Sequence, residues 1–115
     1  MNTSTSARLA EETERTLAQI EALTAERSDI VAGRDLVATD DEHDPEGATI
    51  AFEHARVGAL LEQARHHLAA IEHAEQRLRD GVLDTCEVCG TVIPAARREA
   101  RPAATTCIGC ASARR

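Results

Sequence analysis

Apolar residues recur at intervals of three and four along two long stretches of the chain. From Ile50 to Val82 they keep the a/d period of a coiled coil, with two polar interruptions. This stripe consists of Ile50, His54, Val57, Leu61, Ala64, Leu68, Ile71, Glu75, Leu78 and Val82. A less regular stripe comes earlier and consists of Leu9, Thr13, Leu17, Ile20, Leu23 and Ile30. We therefore predict two long helices, the second of about 35 residues and about 50 Å.

Helix boundaries are indicated by proline, glycine and aspartate. Asp44 suits the N-cap of the second helix and Pro45 its first turn. Gly81 is suited to end that helix, with Arg77 and Arg79 in its last turn. Gly33 can end the first helix in the same way. A turn is thus expected over about residues 33–45.

The two stripes match each other when the chain folds back on itself. Six residue pairs, with numbers that sum to 80 or 81, then face one another: Ile30/Ile50, Leu23/Val57, Ile20/Leu61, Leu17/Ala64, Thr13/Leu68 and Leu9/Ile71. A single reversal of the chain near residue 40 brings all six pairs together. We predict an all-α protein, a monomeric antiparallel coiled-coil hairpin over residues 1–83. Two helices of a parallel dimer are the alternative arrangement.

Composition and charge narrow the class of protein. Phe52 is the one aromatic residue, so a globular core built on aromatic side chains is not expected. Residues 1–85 hold 8 Arg against 18 acids, a net −10, whereas residues 86–115 hold 5 Arg against 2 acids, a net +3. An acidic body argues against wrapping nucleic acid. No stretch is apolar enough for a membrane span, and the N-terminus lacks a secretory layout, so we expect a cytoplasmic protein.

The predicted turn is strongly acidic. Five acids lie between positions 40 and 46: Asp40, Asp41, Glu42, Asp44 and Glu46. Capping of the second helix accounts for Asp44 and Glu46. It does not account for Asp40, Asp41 and Glu42, which crowd like charges together. Two interpretations stay open at this point: a solvated loop, or a tip that meets a cationic partner.

All four cysteines lie near the C-terminal end, in the stretch "TCEVCGTVIPAARREARPAATTCIGC". They form two Cys-x-x-Cys pairs, which are the ligands of a closed tetrahedral zinc site: Cys86, Cys89, Cys107 and Cys110. A redox dithiol needs only one pair, and two disulfides need an oxidising compartment. Four thiolates leave no open position for catalysis. We predict one structural zinc ion in a finger over residues 84–115, which folds around the metal.

Within the finger, Gly90 suits the tight turn after Cys89, "TVIP" is typical of a short strand and "AARREA" of a short helix that ends before Pro102. The histidines raise the question of a second metal site. His66 and His73 share a helix face but lie two turns apart, too far for one ion. We interpret the histidines as ordinary helix residues.

A hairpin with an acidic tip and a C-terminal four-cysteine finger resembles the DksA/TraR family of bacterial transcription factors. The finger motifs "CEVCG" (86–90), "EARP" (99–102) and "CIGC" (107–110) carry the resemblance at the spacing of that family. It implies binding to RNA polymerase rather than to DNA, no enzyme activity, and a hairpin that enters the secondary channel. The tip aspartates, here Asp40, Asp41 and Asp44, would then lie near the catalytic centre.

The resemblance also implies action together with the alarmone guanosine tetraphosphate, but three departures weaken that expectation. Glu46 stands where the family tip has Ala, Arg98 stands where Leu is common, and the sequence ends five residues after Cys110, so most of the usual C-terminal helix is missing. Arg101 in "EARP" is the remaining basic candidate for partner binding. Two rival functions stay open: a zinc-ribbon nucleic-acid binder, and a structural coiled-coil adaptor.

Overall fold

Helices account for most of the chain. The computed structural model describes residues 2–37 and 45–113, with side chains over 4–33 and 47–113. In chain order the helices are α1 (Asn2–Val37), α2 (Pro45–Arg79), α3 (Ala95–Ala100) and α4 (Ile108–Ala113). Over the described ranges there is no β-strand. The predicted all-α fold is confirmed, and none of these helices is both long and apolar enough to cross a bilayer.

The observed helix boundaries agree with the predicted ones at α2 and differ from them at α1. α2 begins at Pro45, because the fixed φ of proline suits the first turn and its missing N–H would be unpaired there anyway. Arg77 and Arg79 lie in its last turn, as predicted. The prediction that α1 ends at Gly33 was wrong, since the helix continues to Val37. Gly33 does not adopt a positive φ and is simply a residue of the helix.

Contacts divide the chain into two units, which we call the hairpin unit (Arg15–His67) and the finger unit (Met1–Glu14 with Leu68–Arg115). The predicted division at residues 83/84 stays a prediction. In the hairpin unit, α1 and α2 bury one apolar cluster of Leu23, Val57 and Leu61, with Ile20, Ile30 and Leu60 against it. Two pairs from the predicted antiparallel register, Leu23/Val57 and Ile20/Leu61, are part of this cluster.

The finger unit has its own core. Leu9 of α1 packs with Ile71 and Ala74 of α2, and Leu83 from the turn after α2 completes the cluster. Leu9 and Ile71 are fully buried, as the predicted pairing requires. Leu78 and Ala103 pack against the same cluster. The finger segment is thus joined to the helices by a small apolar contact in addition to the polar contacts described below.

Leu17 is the clearest departure from the predicted stripe. Its side chain is 50% exposed, whereas the preceding Thr16 is 3% exposed. The buried positions of α1 follow a strict heptad through Leu9, Thr16 and Leu23, so the seam passes through residue 16. Leu17 lies about 100° further around the helix. Because the polar residue Thr16 occupies the seam position, the apolar pattern in the sequence predicted its neighbour Leu17 there instead.

Two smaller expectations were also wrong. Val82 is partly exposed rather than on the seam, because α2 has ended at Arg79 and Leu83 turns inward instead. "TVIP" does not form a strand: Val92 makes only an isolated antiparallel bridge with Thr85. The predicted helix over "AARREA" is confirmed as α3.

Candidate zinc site

The end of α2 sets the direction in which the chain enters the finger. Gly81 has φ 76°, the left-handed conformation that favours glycine. The amide of Val82 donates to the carbonyl of Arg77 at 3.0 Å, and that of Gly81 donates to Leu78 at 3.0 Å. These two bonds form a Schellman motif, which satisfies carbonyls left unpaired at the helix end. Gly81 therefore ends α2, as predicted.

The first Cys-x-x-Cys pair lies on a tight knuckle. The amide of Gly90 donates to the carbonyl of Cys86 at 3.0 Å, and Gly90 has φ 79°, where a side chain would be strained. The amide of Cys86 donates to the carbonyl of Thr91 at 2.8 Å, and the amide of Cys89 lies 3.5 Å from the Cys86 sulfur. These hydrogen bonds fix the backbone of the knuckle and direct the Cys89 amide toward the Cys86 sulfur.

The second pair lies at the start of α4. Cys107 immediately precedes that helix and Cys110 lies within it, with the amide of Ala111 donating to the carbonyl of Cys107 at 3.0 Å. The chain before it is tied to the rest of the finger. The amide of Glu87 donates to the carbonyl of Thr105 at 2.9 Å, and the Arg97 side chain donates to the next carbonyl, that of residue 106, at 2.8 Å.

The four sulfur atoms are close enough for one metal ion. All lie within 4.8 Å of one another, and those of Cys89 and Cys107 are 3.7 Å apart. A tetrahedral ion with zinc–sulfur bonds of about 2.3 Å requires sulfurs about 3.8 Å apart. Among the described residues this is the one cluster of three or more metal-ligating side chains with such geometry. The donor set and the spacing both fit a structural zinc ion.

The thiols have different proton affinities before metal binding. Hydrogen bonding from the backbone amide of Cys89 lowers the pKa of Cys86 to about 6. The pKa of Cys107 is also lowered, chiefly by the backbone amide of Cys110. The side chain of Cys107 raises the pKa of Cys110 to about 12. Zinc binds thiolates, so metal binding has to displace a proton from Cys110, and the raised pKa of that thiol opposes the loss.

A polar network beside the zinc ligands was not foreseen from the sequence. The carboxylate of Glu87, in the first knuckle, lies 2.9 Å from Nε2 of His73 and 4.0 Å from Nε of Arg77, both on α2. A hydrogen bond from the Thr105 side chain, followed by the contacts with His73 and Arg77, lowers the pKa of Glu87. His73 had been interpreted as an ordinary helix residue. The sequence signal for this network is an acid, Glu87, placed between the zinc ligands Cys86 and Cys89.

The remaining predicted site residues are placed as follows. Asp40, Asp41 and Asp44 lie outside the described residues. Arg101 is exposed at the C-terminal end of α3, where its backbone amide donates to Arg97 at 2.8 Å. Its side chain lines a shallow groove of about 150 Å³ with Arg97 and Ile108 among its other residues. Arg101 is therefore accessible to a partner.

Comparisons with known proteins agree with this geometry. Residues 81–115 match the family model described as the prokaryotic dksA/traR C4-type zinc finger. An uncharacterized protein, YteA of Bacillus subtilis (strain 168), is 41% identical over 66 residues, which are 57% of this chain and 28% of that protein. The chain thus matches less than a third of the length of this relative.

A solved structure is similar over nearly the whole chain. Transcription factor DksA2 from Pseudomonas aeruginosa matches with a TM-score of 0.56 and 28% identity, over 94% of this chain and 83% of that one. The family match covers the finger, and the structural match extends to the helices. Together they support the resemblance inferred from the sequence: the finger is similar to the dksA/traR C4-type zinc finger, and the chain as a whole is similar in structure to transcription factor DksA2.

Proposed function

We propose that this protein is a transcriptional regulator that binds RNA polymerase. The observation that carries the proposal is the likeness to transcription factor DksA2 over 94% of the chain, helices and finger together. Fold alone does not determine function, but here the four-cysteine motif of the family accompanies the fold. Both features enter the proposed mechanism, because the hairpin reaches into the polymerase and the finger supports it and adds a contact outside the channel.

In this proposal the coiled coil enters the secondary channel of the polymerase and brings its acidic tip near the catalytic centre. Asp40, Asp41 and Asp44 are the carboxylates that would act there, by placing negative charge beside cationic groups or metal ions of the enzyme. Arg101 would contact the polymerase outside the channel. The protein would act as a cytoplasmic monomer and would change transcription without catalysing a reaction itself.

The zinc ion has a structural role in this proposal. Four cysteine ligands complete its tetrahedral shell, so the ion has no open position for a substrate or water. Its contribution is to hold the two knuckles together in a segment whose described buried apolar residues are Cys86 and Ile93. Direct DNA binding is not part of the proposal, because residues 1–85 carry a net −10. A response to guanosine tetraphosphate would depend on the basic surface that includes Arg101.

Run-off transcription beside a direct polymerase-binding assay tests the proposal. Asp41→Asn, alone and with Asp44→Asn, should abolish the effect on transcription and leave polymerase binding largely intact. Asp41→Asn is the cleaner change, because loss of an N-cap at Asp44 would itself cost about 0.5–2 kcal/mol. Asp29→Asn is the matched control: it removes an exposed acid from α1 within the hairpin unit. We expect it to regulate like the wild type.

The same assays distinguish the competing functions. Arg101→Ala should weaken polymerase binding, and saturating protein should restore regulation because the tip is unchanged. If the wild type fails to capture core polymerase, the proposal is wrong and a structural adaptor becomes the better description. Salt-sensitive binding to DNA or RNA in the absence of polymerase would instead favour a nucleic-acid binder.

A further inference from the structure

Glu87 connects the zinc-binding knuckle with α2. It lies between Cys86 and Cys89 in the sequence, so the position of its backbone is set by two metal ligands. Its amide donates to the carbonyl of Thr105, two residues before Cys107, at 2.9 Å. The side chain is only 23% exposed and points to α2, where it meets Nε2 of His73 at 2.9 Å. One residue therefore contacts both halves of the finger and the helix.

Arg77 completes this connection from the side of the helix. Its guanidinium donates to the carbonyl of Val82 at 3.0 Å and to that of Thr85 at 2.8 Å, so it spans the turn that leads into the finger. The side chain is 18% exposed, and its Nε is 4.0 Å from the Glu87 carboxylate. That Nε is buried and makes no hydrogen bond to the described residues. Glu87 is the counter-charge that this buried atom faces.

An apolar contact also joins the finger segment to the helices. The apolar contact consists of Leu83 and Ala103 against Ile71 and Ala74. Leu83 lies three residues before the first zinc ligand and Ala103 lies four residues before Cys107, so neither is between two ligands. By contrast, the Glu87 carboxylate is carried by the knuckle itself. A movement of that knuckle therefore changes the contacts of His73 and Arg77 directly.

We propose that Glu87 is a positioning residue that couples zinc occupancy of the finger to the last two turns of α2. With zinc bound, the knuckle holds the carboxylate against His73 and Arg77 and so ties down the helix end. Without zinc, the knuckle is released and those two side chains lose their partner. The inference concerns the finger unit alone and is independent of polymerase binding.

Hydrogen exchange of the full-length protein tests this coupling. Peptides covering residues 70–82 are compared between zinc-loaded protein and protein treated with a chelator, in the wild type and in Glu87→Gln. Zinc should slow exchange in the wild type, and in Glu87→Gln this zinc-dependent slowing should shrink by a factor of up to about five, the upper range for a partly exposed ion pair. Glu72→Gln, a change at an exposed acid on α2, should retain the full effect.

The outcomes separate coupling from ordinary packing. If Glu87→Gln retains one zinc and the full zinc-dependent slowing, the proposal is overturned. It is equally overturned if Glu87→Gln speeds exchange by the same factor with and without zinc, since that is the behaviour of a simple packing contact. Should Glu87→Gln bind zinc poorly, His73→Gln decides, because it leaves the knuckle sequence unchanged. A reduced zinc effect in that variant supports the coupling, and an unchanged effect refutes it.

Discussion

Leu61→Ala against Leu17→Ala tests whether the coiled-coil seam runs where the structure has it. Both leucines lie in the hairpin unit and both belong to the stripes visible in the sequence. They differ in burial: Leu61 is 1% exposed within the cluster of Leu23 and Val57, whereas Leu17 is 50% exposed. The same chemical change should therefore have unequal effects on stability.

The magnitudes follow from the carbon atoms removed. Leucine has three more carbons than alanine, and each buried CH₂ contributes about 0.8 kcal/mol, so the loss at Leu61 is about 2.4 kcal/mol before any cavity remains. A cavity between two helices that cannot fully close raises this to about 2.5–4 kcal/mol. Half of the Leu17 side chain is already in water, which reduces its loss to about 1 kcal/mol.

The measurement is urea denaturation of zinc-saturated protein followed by far-UV circular dichroism, with the wild type alongside. We expect a clearly lower midpoint for Leu61→Ala and a small shift for Leu17→Ala, at similar m-values. Equal losses of stability in the two variants would refute the observed register and restore the one in which Leu17 faces α2. A larger loss for Leu17→Ala would do so even more strongly.

Three further predictions use other features of the chain. Gly81→Ala should destabilise the protein by roughly 1–2 kcal/mol, because Gly81 has a positive φ. Gly58→Ala, with open space around the added Cβ, should stabilise α2 by about 0.5–1 kcal/mol. Thermal denaturation should therefore show a lower melting temperature for the first variant and a higher one for the second. Cys107→Ser or chelation should remove zinc by elemental analysis and unfold the finger, with most helical dichroism retained. Arg56→Ala and Glu26→Ala each break a 3.0 Å ion pair between α1 and α2. In a double-mutant cycle, the coupling energy between the two changes should decrease as salt is added.

The zinc cluster was predictable because coordination chemistry places strict demands on sequence. Two Cys-x-x-Cys pairs can present four sulfurs to one ion only when a tight turn follows each first cysteine, and Gly90 marked one such turn. The structure brings all four sulfurs within 4.8 Å, as the pattern required. Here the sequence contains the ligands, their spacing and the turn residue, so the prediction of the zinc site depends little on the remainder of the fold.

The helical pairing was predictable for a different reason and with less accuracy. Antiparallel pairing requires only that two stripes have matched spacing, and Leu9/Ile71 and Leu23/Val57 do pack together. The stripe itself was located by the apolar side chains, which is why Leu17 was assigned to a seam position that Thr16 occupies. Periodicity determines which face is buried on average, and a single polar residue on the seam shifts the assignment by one position.

The contacts of Glu87 could not have been predicted from either kind of pattern. His73 and Glu87 are separated by 14 positions, and they meet only because Gly81 ends α2 in a left-handed conformation and turns the chain back along it. No spacing rule connects a helix residue with a knuckle residue across such a turn. The described apolar contact between the finger and the helices consists of Leu83 and Ala103, so we expect the polar contacts of Glu87 to contribute to the position of the finger.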